Sequence, residues 1–207
     1  GGRRAAAGLD DRGGGEDLMV LGFHILDLMH YMAGRPLWTF ANVLTQGREA
    51  TRADRHPGRE RNGWVAGDEL MAMYGFSHGV YGTFESHRDL PGGEDRFSLE
   101  IRGSEGVIAL RSLADVVWFQ GPMLNPAKPH RWQPITTSAW EAVPDKMHWC
   151  NQQLVLDLLS AVQEQREPIA GLEGGIWALE MIQSVYASHL IKSRVALPLK
   201  ERKHPLS

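Results

Sequence analysis

The chain has 207 residues, 43% of them hydrophobic and 23% charged, and carries a formal net charge of −3. That mixture is too apolar for a disordered tail, contains no run near the ~20 apolar residues of a membrane helix, and has no basic excess, so neither nucleic acid nor a membrane is an expected partner. The one cysteine, Cys150, excludes an internal disulfide framework and any Cys-only zinc site, which suits a reducing compartment.

The opening Gly1-Gly2-Arg3-Arg4 has neither an initiator Met nor a signal-peptide core behind it, so the chain reads as a fragment of something longer, cytoplasmic in location. Residues 1–15 read as a flexible lead-in ending in Gly13-Gly14-Gly15. Leu18, Leu21, Ile25, Leu28 and Met32 then recur at three- and four-residue steps, predicting one amphipathic helix over 16–33. Glu16 and Asp17 suit its first turn, and Gly34 with Pro36 stops it. A strand is expected over 37–46, then a solvated Arg-rich loop over 48–63. Glu69–Phe76 and Val80–His87 read as a hairpin joined by Ser77-His78-Gly79. Phe97, Leu99 and Ile101 alternate with polar residues, and Val107–Leu110 and Val116–Phe119 continue the meander. Residues 121–147 hold five prolines and predict an irregular crossing with one short strand near 131–136. Helices are expected at 147–166 and 172–192, the second on the stripe Ile176, Leu179, Ile182, Tyr186 and Leu190, then a last strand at Val195–Leu199.

Short connections demand antiparallel neighbours. The expected fold is therefore α+β: an open, mostly antiparallel sheet of about six strands with helices on one face. Both alternate sets of Glu69–Phe76 are apolar, so the other face also needs cover, and a self-associating sheet, an oligomer interface, is the simplest.

Few residues stand out chemically. A glycine run before a helix can cradle phosphate, but no strand precedes Gly13-Gly14-Gly15 and the dinucleotide spacing is absent, which favours a flexible turn. His24 and Asp27 share a helix face while His30 lies well around it, a poor metal site. His24, among Leu21, Phe23 and Ile25, is either a hydrogen-bonded core histidine or an imidazole placed for proton transfer. The other histidines show no metal-ligand spacing, no serine sits in a nucleophile elbow, and Cys150 reads as a packed thiol.

The order of the pieces resembles a known family. Gly13-Gly14-Gly15 through Gly22-Phe23-His24 to Asp27-Leu28 is similar to the segment that opens the C-terminal domain of the Gfo/Idh/MocA (glucose–fructose oxidoreductase/inositol dehydrogenase) family. Gly79-Val80-Tyr81-Gly82-Thr83-Phe84-Glu85-Ser86, Ile101-Arg102-Gly103-Ser104-Glu105-Gly106 and the end from Gly174 to Leu199 resemble its later strand, turn, closing helix and closing strand. The resemblance implies a C-terminal substrate-binding and oligomerisation domain over 16–207, with residues 1–15 the end of a missing N-terminal Rossmann domain. It implies NAD or NADP in the intact enzyme, none binding this chain alone. It further implies oxidation or reduction of a hydroxyl on a sugar, cyclitol or related polyol, and a homo-dimer or tetramer built through the sheet. His24 takes the place of the family's acid/base histidine. The aspartate that often assists it four residues earlier is Val20 here. The pocket is expected to draw on Trp64, Gly67 and Asp68, with His87 at a strand end. Without the cofactor half the isolated chain is expected to be inactive. The alternatives are a non-catalytic assembly or carbohydrate-binding module, or a metal-assisted sugar lyase or hydrolase using scattered histidines.

Overall fold

The structure is a computed structural model that describes residues 14–88, 98–111, 115–120, 133–135 and 138–207, with backbone alone for 115–120 and 133–134. The expectations for residues 1–13 and for the Pro-rich stretch 121–132 lie outside the described residues. The chain forms two compact units: Gly1–Leu90 with Leu172–Ser207, and Pro91–Gly171.

The first unit begins with α1 (Gly15–Met19) and α2 (Leu21–Ala33). The single helix expected over 16–33 is thus broken at Val20, where φ −110° and ψ −77° depart from helical values. The cause is anchorage to different partners. Asp17 in α1 accepts a 2.9 Å hydrogen bond from Ser86 Oγ, whereas α2 is seated by Gly22, where a Cβ would stand 2.8 Å from the Phe84 ring and 3.0 Å from the Asp17 carbonyl oxygen. Gly34, at φ 82°, closes α2 as expected.

Three strands make the centre of an open antiparallel sheet: β1 (Trp38–Thr45), β5 (Glu69–Gly75) and β6 (Tyr81–His87). Ala41 pairs with Ala72 and Ala72 with Phe84. The short β2 (Arg48–Glu49) and β11 (Val195–Ala196) pair with opposite ends of β1, giving five strands. Period-two alternation sends Thr39, Ala41, Val43, Leu70, Ala72, Tyr74 and Phe84 inward, where all are buried. The long helix α5 (Leu172–Ile191) lies along β1 and α2 on that side. Its buried stripe is Ala178, Met181, Ile182, Val185 and Tyr186, with Ser184, Ser188 and His189, while Ile176 and Leu179, expected inside, are exposed. The opposite sheet face shows Phe40, Met71, Met73 and Tyr81 to solvent.

The stretch read as a loop is ordered by short pieces. A 3-10 turn, Arg52–Asp54, is capped by Thr51, and β3 (His56–Pro57) pairs with β4 (Trp64–Val65).

In the second unit, β7 (Ser98–Gly103), β8 (Gly106–Arg111), β9 (Asp115–Gln120) and β10 (Gln133–Pro134) form a four-stranded antiparallel sheet in the order β10-β9-β8-β7. Two helices follow, α3 (Ser138–Glu141) and α4 (Lys146–Glu164), the latter begun by an Asp145 carboxylate that accepts the His148 N–H at 2.9 Å. Met147, Leu154, Val155, Leu158, Leu159 and Val162 form a continuous apolar stripe on α4, and all six are exposed. The molecule is α+β, its sheets antiparallel and open. No helix among the described residues is long and apolar enough to cross a membrane.

Candidate functional site

The site is built around the junction of α1, α2 and the loop at residues 66–68. Gly14 has φ +70°, and a Cβ there would stand 2.5 Å from the Asp68 carbonyl carbon, so only glycine fits. Its N–H donates to Ser86 Oγ at 3.0 Å, and the Gly15 N–H donates to the Gly67 carbonyl at 3.1 Å. The Ser86 hydroxyl in turn donates to Asp17, so one hydroxyl on β6 holds both the chain entering α1 and a side chain within it. Glu16, 4% exposed, accepts the Arg59 N–H on both carboxylate oxygens at 3.3 Å, with His56 Nδ1 3.7 Å away. Behind them the Tyr186 hydroxyl of α5 exchanges hydrogen bonds with the Ala66 backbone. Burial holds that phenol well above its ordinary range, so it stays neutral. Glu16 and Asp17 therefore do more than face a helix dipole: they fasten the motif to its surroundings.

His24 is the fourth residue of α2. At 100° per residue its side chain points away from the buried stripe of Gly22, Ile25, Leu26 and Met29, and it is exposed. The reading as a hydrogen-bonded core histidine is therefore corrected: its ring lies edge-on to Phe23, centroids 6.2 Å apart, and bonds no other described residue. No carboxylate reaches it among the described residues, Val20 standing where one would be sought. Asp27 faces the first turn of α5, its Oδ1 2.6 Å from where a Cβ on Gly174 would sit, a negative charge at a helix N-terminus. His30 stacks on Trp177, ring planes 12° apart, and Arg35 covers the same indole. The first helix thus presents one imidazole without a structural task.

Of the other predicted residues, Asp68 and His87 lie at one end of the main sheet, and Trp64 lies on the separate β3–β4 pair. Leu44, Glu69 and His87 form the last row of register across β1, β5 and β6, and His87 Nδ1 lies 3.3 Å from Glu69 Oε1. Asp68, one residue before that row, accepts the Gln46 N–H on both oxygens at 3.0 and 3.2 Å, and its carbonyl accepts the Arg88 N–H. It bridges the turn after β1 to the end of β6. Trp64 on β4 is exposed, with the Arg55 guanidinium 5.2 Å from its ring centre. Cys150, read as packed, is exposed.

A metal and a dinucleotide are tested by the same geometry. No group of three or more His, Cys, Asp or Glu among the described residues is placed to hold a metal ion. The Gly14 and Gly15 amides are engaged inside the protein, the helix they open has five residues, and every described strand pairing is antiparallel. These residues do not fit a pyrophosphate, which needs free amides at a helix N-terminus beside a parallel sheet.

Comparison with known proteins agrees with this architecture. The profile of the GFO/IDH/MocA C-terminal domain matches residues 3–109. Levoglucosan dehydrogenase in complex with NADH and levoglucosan superposes with a TM-score of 0.65 at 20% identity, covering 88% of this chain and 50% of that one. An oxidoreductase domain protein from Kribbella flavida gives 0.63 at 19%, with coverage of 88% and 50%. The WlbA dehydrogenase from Bordetella pertussis, in complex with NADH and UDP-GlcNAcA, gives 0.54 at 16%, with coverage of 86% and 47%. The chain spans about half the length of these solved structures. No curated protein matches it.

Proposed function

Because the chain belongs to the GFO/IDH/MocA family through its C-terminal domain, we propose that it is the substrate-binding and oligomerisation half of an NAD(P)-dependent oxidoreductase. The substrate class is a sugar, cyclitol or related polyol with a reacting hydroxyl. NAD or NADP would be held by the other half of the intact enzyme, since the Gly14 and Gly15 amides of this chain are taken up by Ser86 and Gly67.

The observation that carries the reading is the placement of His24. Its helix is fixed by the Gly22–Phe84 contact and, through α1, by the Asp17–Ser86 bond, while the imidazole itself is exposed and uncommitted. A rigid helix presenting an unattached imidazole is what proton transfer to or from a substrate hydroxyl requires. Trp64, on the separate β3–β4 pair, offers a flat aromatic face of the kind that stacks on sugar rings, and Asp68 and His87, at one end of the main sheet, are the other substrate-binding residues of this reading. Asp68 contributes through the backbone it orders as much as through its carboxylate. The exposed apolar side chains of the outer sheet face support self-association, as a homo-dimer or tetramer.

The test joins this chain to a nucleotide-binding half and compares wild type with His24→Ala. The expected result is a kcat on an accepted polyol at least ~10²-fold lower, with KM within a few-fold and an unchanged urea midpoint. Equal turnover on every accepted polyol would remove His24 from the chemistry. Val20, which cannot pair with the imidazole, favours a second reading: a carbohydrate-binding or assembly module without catalysis. That reading requires sugar binding with no turnover even in the joined protein.

A further inference from the structure

The segment after β11 turns back over the first unit and is held at four points. The Glu180 carboxylate, 7% exposed, takes the Leu199 N–H and, at 2.7 Å, the Arg202 guanidinium. Arg52 Nε donates to the Pro205 carbonyl at 3.0 Å. Leu206 is 1% exposed. Between them sits His204: its ring centre is 6.0 Å from that of Tyr186, its Nδ1 accepts the Leu206 N–H at 3.1 Å, and its ring hydrogen-bonds the Trp64 backbone. An Nδ1 that accepts carries no proton, so the bound tautomer is the neutral one protonated at Nε2.

We propose that residues 199–207 form a proton-gated latch: neutral His204 keeps Leu206 in its socket, and protonation at Nδ1 expels the Leu206 amide and frees the segment.

The surroundings oppose the charged imidazole. From α5 the facing group is the Tyr186 phenol, neutral because it is buried, and Glu16 on α1 acts on that phenol. From the 3-10 turn the Arg52 guanidinium bonds Pro205, the residue after His204, and is a like charge to an imidazolium. Arg202 on the segment itself is neutralised by Glu180. No carboxylate forms an ion pair with His204 among the described residues. Burial pushes its pKa below the ordinary value, against the smaller opposing effect of the Trp64 bond. The sign follows: with the docked value depressed, docking is complete above the free imidazole's ~6.5 and weakens as pH falls through and below it. The latch stands independently of the sugar-oxidoreductase reading, since it needs only the residues just described.

The experiment is NMR on the full chain, following the His204 Cε1–H shift and the hydrogen-exchange protection of the Leu206 amide, corrected for intrinsic exchange, from pH 7.5 to 5. The expected result is that Leu206 protection falls at least tenfold, with the midpoint at which His204 titrates. His204→Asn keeps a side-chain acceptor two residues before the same N–H but cannot be protonated, so its Leu206 amide should stay protected throughout. Leu206→Ala should leave the segment exchanging freely at both ends of the range. Leu206 protection that persists while His204 titrates, or that falls in His204→Asn with the wild-type midpoint, overturns the latch. If His204→Asn is already open at pH 7.5, coincidence of the two wild-type midpoints upholds the proposal and their separation overturns it.

Discussion

Gly22 and His24 are two residues apart and do opposite work. Gly22 lets α2 approach β6 until the Phe84 ring and the Asp17 carbonyl occupy the space of a side chain, and His24 then projects from the far side of the helix. Gly22→Ala is accordingly expected to cost about 1–3 kcal/mol, because Phe84 is buried and cannot swing aside. Urea denaturation of the two chains checks this, and a loss under ~0.5 kcal/mol, the scale of a neutral surface change, would mean that the helix is free to shift. The sequence made His24 visible through the helical spacing and the resemblance around it. Its exposure was not legible, because a hydrophobic stripe scores Leu21 and Leu28 and passes over glycine. The stripe that packs is Gly22, Ile25, Leu26 and Met29, and rotating the helix to bury Gly22 turns His24 outward.

At the scale of the element, β1 and α5 show how a polar stripe closes a sheet edge. The short strands β11 and β2 cover only the two ends of β1. Between them the Ala41 N–H donates to Ser188 Oγ at 2.9 Å and the Val43 N–H to His189 Nδ1 at 3.1 Å. His189 Nε2 donates to the Ala50 carbonyl at 2.7 Å, and Thr39 shares a 2.7 Å hydrogen bond with Ser184. Buried amides of an edge strand must be paired somewhere, and here a helix pairs them. Ser188→Ala leaves the Ala41 N–H buried and unpaired, with an expected loss of about 1–3 kcal/mol in urea. An unchanged midpoint would show that water or backbone takes over the bond. The helix was legible in the sequence; this use of it was not. Serine and histidine in a helix read as its wet side, and nothing local marks them as partners of a strand some 145 residues earlier. The break at Val20 was hidden likewise, since its causes are Ser86 and Phe84, far along the chain.

For the whole molecule, the antiparallel hairpin Glu69–His87, the later meander and the two long helices could be read from alternation and turn residues, because those contacts are local. The division of the strands into separate sheets could not, as it depends on connections with no period of their own. The outer face of the main sheet carries Phe40, Met71, Met73 and Tyr81, and α4 carries eight exposed large apolar residues, apolar surface that the proposed self-association would cover. Met71→Glu with Met73→Glu should convert a dimer or larger species to monomer in sedimentation at micromolar concentration, and a wild-type monomer there would argue against association through this face. The most direct test of the account is a calorimetric titration of the chain with NADH. Since the Gly14 and Gly15 amides are held by Ser86 and Gly67, no saturable binding is expected in the micromolar range, and a one-to-one micromolar isotherm would contradict the proposal that the cofactor is held outside this chain.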